Sequence, residues 1–320
     1  METHLHNPPL AEEILLAHAR ISPYINRTPV MTSGTLNRFL DARVFFKCEN
    51  FQKVGAFKAR GATNAVLSLD ETLISKGVAT HSSGNHAQAL SWAASLRKIP
   101  AYIVMPENSS RVKVDAVKEY GGIIRFCKPT LAAREETLME VISETGAIEI
   151  HPYNNLSIIA GQATAAKELL DEIHAPDLIL APVGGGGLLS GTALSAHYFS
   201  PQTSVIAAEP EKANDAWMSF TRKEFVPSVN PQTIADGLRT SLGSFTFPII
   251  LDHVENIVTV SEESIITAMR FTWERMKILI ETSSAVAVAA LLENKVDVKG
   301  KKVGVILSGG NVDLDDLPWR

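Results

Sequence analysis

Cysteine is scarce: the 320-residue chain has two, Cys48 and Cys127, far apart in apolar stretches and at no metal-ligand spacing. That excludes a disulfide framework or a zinc finger, and both read as buried free thiols of a reducing compartment. Charge of one sign is missing as well. With 30 Lys+Arg against 35 Asp+Glu, the net charge is -5 and the pI about 6.0, without blocks of like charge, so a nucleic-acid surface is excluded. No apolar run approaches the ~18 residues of a membrane span. The N-terminal Met-Glu-Thr-His-Leu-His-Asn-Pro-Pro lacks the basic-then-apolar layout of a signal peptide. A cytoplasmic protein with neither membrane nor nucleic-acid partners is expected. Internal repeats are absent too, which excludes a solenoid. What is present is 45% hydrophobic and 20% charged residues, a globular composition, in a length sufficient for two lobes.

Short apolar segments alternate with helix-length segments. In 78–150 the spacing predicts strands at 78–82, 101–105, 123–127 and 147–150, with helices at 85–96, 110–120 and 131–145. A second alternation predicts strands at 177–183, 205–209 and 303–308, joined by 43–48, with helices at 261–277 and 284–292. Alternation of this kind implies an α/β fold with parallel sheets and right-handed crossovers. The expected organisation is a large lobe from 1–77 and 151–320, with a small α/β lobe of 78–150 inserted in it. A ligand cleft belongs between the lobes, at the carboxyl ends of the strands.

Five segments carry chemistry. In Phe51-Gln-Lys-Val-Gly-Ala-Phe-Lys-Ala-Arg-Gly61, Lys58 stands at a loop-to-helix junction. A lysine amine in a partly apolar site loses its proton near neutral pH and attacks carbonyls; alone, it is an ordinary surface lysine. Pro182-Val-Gly-Gly-Gly-Gly-Leu-Leu-Ser-Gly191 follows a buried strand and opens a helix, so converging N–H groups suit a phosphate. It has neither the dinucleotide nor the nucleoside-triphosphate glycine pattern. Ser82-Ser83-Gly84-Asn85-His86 sits at a strand end and helix start and suits a carboxylate, with N-capping as the plainer alternative. Arg134, on a later helix, is placed to close over a bound anion or to face solvent. Leu307-Ser-Gly-Gly-Asn-Val-Asp313 ends the last strand, where Ser308 either partners a ring nitrogen or belongs to a turn. Glu209 and Asp215, with the Ala213 carbonyl between them, form either an exposed acidic turn or a hard-oxygen site for Mg²⁺, Ca²⁺ or Mn²⁺.

Taken together, in this order, from Arg27-Thr-Pro to Leu307-Ser-Gly-Gly-Asn, these motifs resemble the fold type II pyridoxal-phosphate enzymes, within them the serine racemase and threonine/serine dehydratase group. The resemblance implies two α/β lobes with pyridoxal 5'-phosphate between them and Lys58 as its aldimine carrier. It implies that Phe57 and Asn85 contact the ring, that Gly184, Gly185, Gly186, Gly187 and Leu188 cradle the phosphate, and that Ser308 binds the ring nitrogen. Ser82, Ser83, Asn85 and His86 then receive the substrate carboxylate, Ser83 exchanges a proton on the face opposite Lys58, and Asp236 and Gly237 lie on the substrate side. Glu209, Ala213 and Asp215 match the family's divalent-cation site. A homodimer is implied, with Lys53 and Lys113 available to an ATP effector.

The activity so implied is an ammonia-lyase that converts serine, threonine or a related β-hydroxy amino acid to a 2-oxo acid, with serine racemisation beside it. The alternatives are a dedicated serine racemase, a 3-hydroxyaspartate dehydratase and a ligand-binding homologue without turnover. Cysteine synthase-like replacement is disfavoured, because its Lys-Asp-Arg and Thr-Ser-Gly-Asn-Thr-Gly motifs are missing. Two departures bear on the choice. His151-Pro-Tyr-Asn-Asn replaces the racemase His-Pro-Asn with an aromatic of dehydratase type, and Glu281-Thr-Ser-Ser-Ala-Val-Ala loses glycines from Glu-Pro-Thr/Ala-Gly-Val-Gly. Because the sequence stops soon after Asn311, a C-terminal regulatory domain and control by isoleucine are not expected.

Overall fold

A computed structural model of the protein describes residues 7–319. Among them ten strands form two sheets: β1 (Val30–Thr32), β2 (Arg43–Cys48), β3 (Val78–His81), β4 (Ala101–Pro106), β5 (Ile123–Cys127), β6 (Ile148–Glu149), β7 (Leu178–Pro182), β8 (Ser204–Pro210), β9 (Asn256–Val260) and β10 (Lys302–Leu307). The larger sheet has the order β1-β2-β10-β7-β8-β9 and the smaller β5-β4-β3-β6. Every pairing is parallel except that of the edge strand β1 with β2.

The central strands are largely apolar because helices cover both faces. In β7, Leu-Ile-Leu-Ala-Pro is buried at all five positions, and β10 runs Val305 between Phe46 of β2 and Leu180 of β7. Fully burying one such aliphatic side chain contributes ~1.5–3 kcal/mol. Two strands escape the hydrophobic pattern. β1 is three residues long, too short to show a period, and the edge strand β9 (Asn-Ile-Val-Thr-Val) mixes polar and apolar positions. The helix expected over 261–277 is instead α-helical over Glu262–Phe271 and finishes in a π-helical turn, Thr272–Met276, stopped by Lys277 at φ 61°.

Helix Leu156–Ile173 packs on both Lys58–Leu67 and Gly187–Phe199. Its approach to the first is close enough that a Cβ on Gly161 would stand 2.6 Å from the Arg60 carbonyl oxygen. Beneath lies a buried ionic cluster. Arg60 donates to Glu49 at 2.7 and 2.9 Å and to Glu168 at 2.9 and 2.8 Å, while Lys47 donates to Glu168 at 2.7 Å and to the Thr28 carbonyl at 2.8 Å. All four side chains are buried, so each charge depends on its partners rather than on water. The cluster pins the helix that Lys58 begins.

Candidate active site

Strands bring the motifs together. Ser82–Asn85 follow β3, Gly184–Gly187 follow β7, Glu209 lies in the end of β8, and Ser308–Asn311 follow β10; carboxyl ends of parallel strands are where ligand crevices form. Lys58 enters from the side. Ala56 forms an antiparallel bridge with Gly309, and the Phe57 N–H donates to the carbonyl of the buried Ser308 at 3.0 Å. The Lys58 amine lies 5.2 Å from the centre of the Phe57 ring.

Lys58 Nζ donates to the Pro152 carbonyl at 2.7 Å. Burial, opposed by the Glu281 carboxylate, lowers its pKa to about 7, so an appreciable fraction is free amine at neutral pH. The Pro152 carbonyl is presented by a turn that His151 shapes: its Nδ1 accepts from the N–H of Tyr153 at 3.3 Å and of Asn154 at 2.9 Å. That nitrogen therefore carries no proton. Burial, with His81 and Lys58 adding to it, lowers the His151 pKa to about 4.

Asn85, Glu281 and Asn311 close a ring of hydrogen bonds. Asn85 Nδ2 donates to the Glu281 oxygens at 2.9 and 3.1 Å, Asn311 N–H donates to Glu281 at 3.1 Å, and Asn311 Nδ2 donates to Asn85 Oδ1 at 2.9 Å. Burial, then the neighbouring Asp236 charge, raises the Glu281 pKa to about 7. Lys58 and Glu281 thus change protonation in the same pH range.

The glycine loop is buried from Gly184 to Gly187, and Leu188 beside it. Gly186 caps the next helix at φ 86°, a conformation open mainly to glycine. At Gly185 the need is proximity, since a Cβ there would stand 2.3 Å from the Tyr153 ring. The first N–H groups of helix Gly187–Phe199 have no acceptor within the helix, and the helix dipole adds positive potential. A phosphate suits such a place.

Around this centre the remaining residues divide. Ser82, Ser83 and Asn85 are half-buried at the start of helix Asn85–Leu96. His86 is buried, with Nε2 3.0 Å from the Ile150 carbonyl oxygen; burial, then the Lys58 charge, pushes its pKa well down, so the ring is neutral. Arg134 is half-buried, its Nε has no partner, and its charge acts on His81 and Tyr153. Asp236 is ion-paired with Lys113, and the Gly237 N–H donates to Ser283 Oγ at 3.0 Å.

Glu209 and Asp215 stand apart from these. Glu209 accepts from the N–H groups of Ala216 and Trp217 at 2.9 and 2.8 Å, and burial raises its pKa well above the usual carboxylate range. Burial also raises Asp215, to about 6; no hydrogen bond of ordinary geometry reaches its oxygens, although Ser228 lies beside it. Among the described residues no group of three or more His, Cys, Asp or Glu is arranged to hold a metal.

Several residues of the site lay outside the sequence reading as participants: Pro152, which acts through its carbonyl, and His151, Glu281 and Asn311, which appeared only as letters of motifs, while Tyr153 was read only as an aromatic of dehydratase type. An amine free near neutral pH, a buried cradle of helix-terminal donors and polar groups at a second helix start together fit pyridoxal phosphate. No helix among the described residues is long and apolar enough to cross a membrane.

The fold is that of the fold type II pyridoxal-phosphate enzymes, and the chain belongs to that family: the family described as pyridoxal-phosphate dependent enzyme matches residues 21–309. Within it, the chain is 51% identical to a β-hydroxyaspartate dehydratase of Paracoccus denitrificans, over 98% of this chain and 99% of that one. It is 48% identical to a serine racemase of Dictyostelium discoideum, over 96% of each. The solved structure of maize serine racemase superposes with a TM-score of 0.95 at 43% identity, covering 97% of this chain and 95% of that one. The protein is thus an enzyme of the racemase and ammonia-lyase branch that uses pyridoxal phosphate.

Proposed function

We propose that this enzyme is an ammonia-lyase for β-hydroxy amino acids such as serine, threonine or 3-hydroxyaspartate, forming a 2-oxo acid and ammonia, with serine racemisation as the slower companion. The observation that carries the reading is the Lys58 amine, with a pKa of about 7 and a backbone carbonyl 2.7 Å away. When bound, pyridoxal phosphate supplies the carbonyl that condenses with the substrate amine and the ring that takes up the electron pair left by the α-proton. Lys58 first carries it and, once displaced, takes the α-proton.

In this reading the N–H groups of Gly184 to Leu188 hold the phosphate, Phe57 and Asn85 flank the ring and Ser308 meets its nitrogen. Ser82, Ser83, Asn85 and His86 receive the substrate carboxylate, Arg134 closes over it, and Asp236 and Gly237 form the far wall. The protonated Lys58 then gives its proton to the β-hydroxyl, which departs as water. Ser83 on the opposite face returns a proton to the α-carbon in the racemising turnover. Glu209, Asp215 and the Ala213 carbonyl are assigned to Mg²⁺, Ca²⁺ or Mn²⁺. A homodimer, an ATP effector at Lys53 and Lys113, and lobe limits at 78 and 150 go with the reading; ATP has to compete with Asp236 for Lys113.

A dedicated serine racemase is the second reading, favoured by the 48% identity to the Dictyostelium enzyme. The test is a panel of L-serine, D-serine, L-threonine and threo-3-hydroxyaspartate, with 2-oxo acid and enantiomer both quantified, using wild type and Ser83→Ala. Elimination is expected to exceed racemisation and to survive Ser83→Ala, while racemisation is lost. Abundant D-serine with negligible pyruvate would reverse the order of the two readings.

A further inference from the structure

Gln162 lies on helix Leu156–Ile173, and its side chain is fully buried. Neither Oε1 nor Nε2 has a hydrogen-bond partner. Leaving both ends of a buried amide unpaired is costly, and native proteins rarely keep such a group without a use for it. Its position indicates the use. A Cβ on Gly187, the first residue of the glycine-loop helix, would stand 2.6 Å from Gln162 Oε1, and one on Gly61, in the Lys58 helix, 3.1 Å from Nε2. The amide therefore fills the gap between the helix that opens at the phosphate cradle and the helix that opens at Lys58. A half-turn about its last bond exchanges oxygen and nitrogen without changing the space it fills.

We propose that the Gln162 amide is a ligand of the cofactor phosphate, with Nε2 donating to an oxygen of the group seated on Gly184 to Leu188. The proposal rests on the reading of that loop as the phosphate site. It accounts for an amide that no protein group satisfies: its acceptor is the cofactor's own. A glycine loop supplies backbone donors only, and Gln162 adds a side-chain donor that reaches it from behind, from an element that also packs on the Lys58 helix.

The test uses the holoenzyme and the same protein freed of cofactor, as wild type, Gln162→Leu and Gln162→Glu, with pyridoxal phosphate as the added ligand. Three quantities are read: Kd for the cofactor, the rise in Tm it causes, and the ³¹P shift of the bound phosphate. Cofactor-free Gln162→Leu should melt no lower than wild type, since it removes an unpaired buried amide, yet gain less on cofactor addition. Its Kd should rise about tenfold, the effect of losing one hydrogen bond to a charged group, and its ³¹P signal should move. Gln162→Glu should bind more weakly still, increasingly so as pH rises. An unchanged Kd and ³¹P shift in Gln162→Leu, or equal Tm changes with and without cofactor, overturns the proposal. Should Gln162→Leu fail to fold, a pH-independent, wild-type Kd in Gln162→Glu overturns it. If wild type itself shows neither a Tm rise nor a bound ³¹P signal, it is the phosphate site that fails.

Discussion

The ionisation of Lys58 is open to a direct titration. With a pKa of about 7, the free-amine fraction is roughly one tenth at pH 6, one half at pH 7 and nine tenths at pH 8. Reactivity toward an acylating reagent should therefore rise about tenfold between pH 6 and 8 and level off above. A lysine at the ordinary value of 10.5 would gain about 100-fold over the same interval and go on rising. The assay is competitive acetylation of the cofactor-free protein with acetic anhydride, with the Lys58 peptide quantified by mass spectrometry against exposed lysines. Glu281 supplies an internal sign check. Its carboxylate raises the Lys58 pKa, so Glu281→Gln should shift the midpoint to lower pH. Stability follows the same linkage: the unfolded chain binds more protons than the folded one between about pH 7 and 10.5, so Lys58 makes the cofactor-free fold more stable as pH rises through that window. A midpoint above pH 9, or an upward shift in Glu281→Gln, would refute the placement of this amine.

Arg60→Ala leaves the buried carboxylates of Glu49 and Glu168 without their shared partner, and should cost about 3–5 kcal/mol in urea unfolding, the usual penalty for breaking a buried pair; a loss under ~1 kcal/mol would mean that water reaches the cluster. At the Glu209 and Asp215 site, the folded chain binds more protons than the unfolded one between about pH 4 and 6, because Asp215 is raised from 3.8 to about 6. Metal-free protein should therefore gain stability as pH falls through that window. Mg²⁺ or Ca²⁺ should raise Tm at pH 7.5, less so below pH 6, and not at all in Asp215→Asn; equal shifts in wild type and variant would remove the cation from Asp215.

The fold was legible where burial imposes a period. Strand Arg43–Cys48 and helices Asn85–Leu96 and Leu131–Thr145 begin and end where the apolar pattern says, and Thr130 and Gly146 cap the last of them at the same limits. Val30–Thr32 and Asn256–Val260 were not legible, since a strand of three residues has no period and an edge strand has one face open to polar residues. The site was legible where a motif has to be contiguous, as in the glycine loop and the strand-end serines. Its long-range partners were not. Pro152 acts through a carbonyl that any residue possesses, and Glu281 meets Asn85 across 196 residues of sequence. Gln162 is fully buried in helix Leu156–Ile173, outside every motif.

The central claim is that Lys58 carries the cofactor. Reduction of the holoenzyme with borohydride fixes a lysine-bound aldehyde in place as a secondary amine, and peptide mapping then locates it. The account predicts one pyridoxyl group per chain, on the peptide containing Lys58, with the label absent from Lys58→Ala. A pyridoxyl group on Lys53, Lys113 or any other lysine, or label retained in Lys58→Ala, would contradict it.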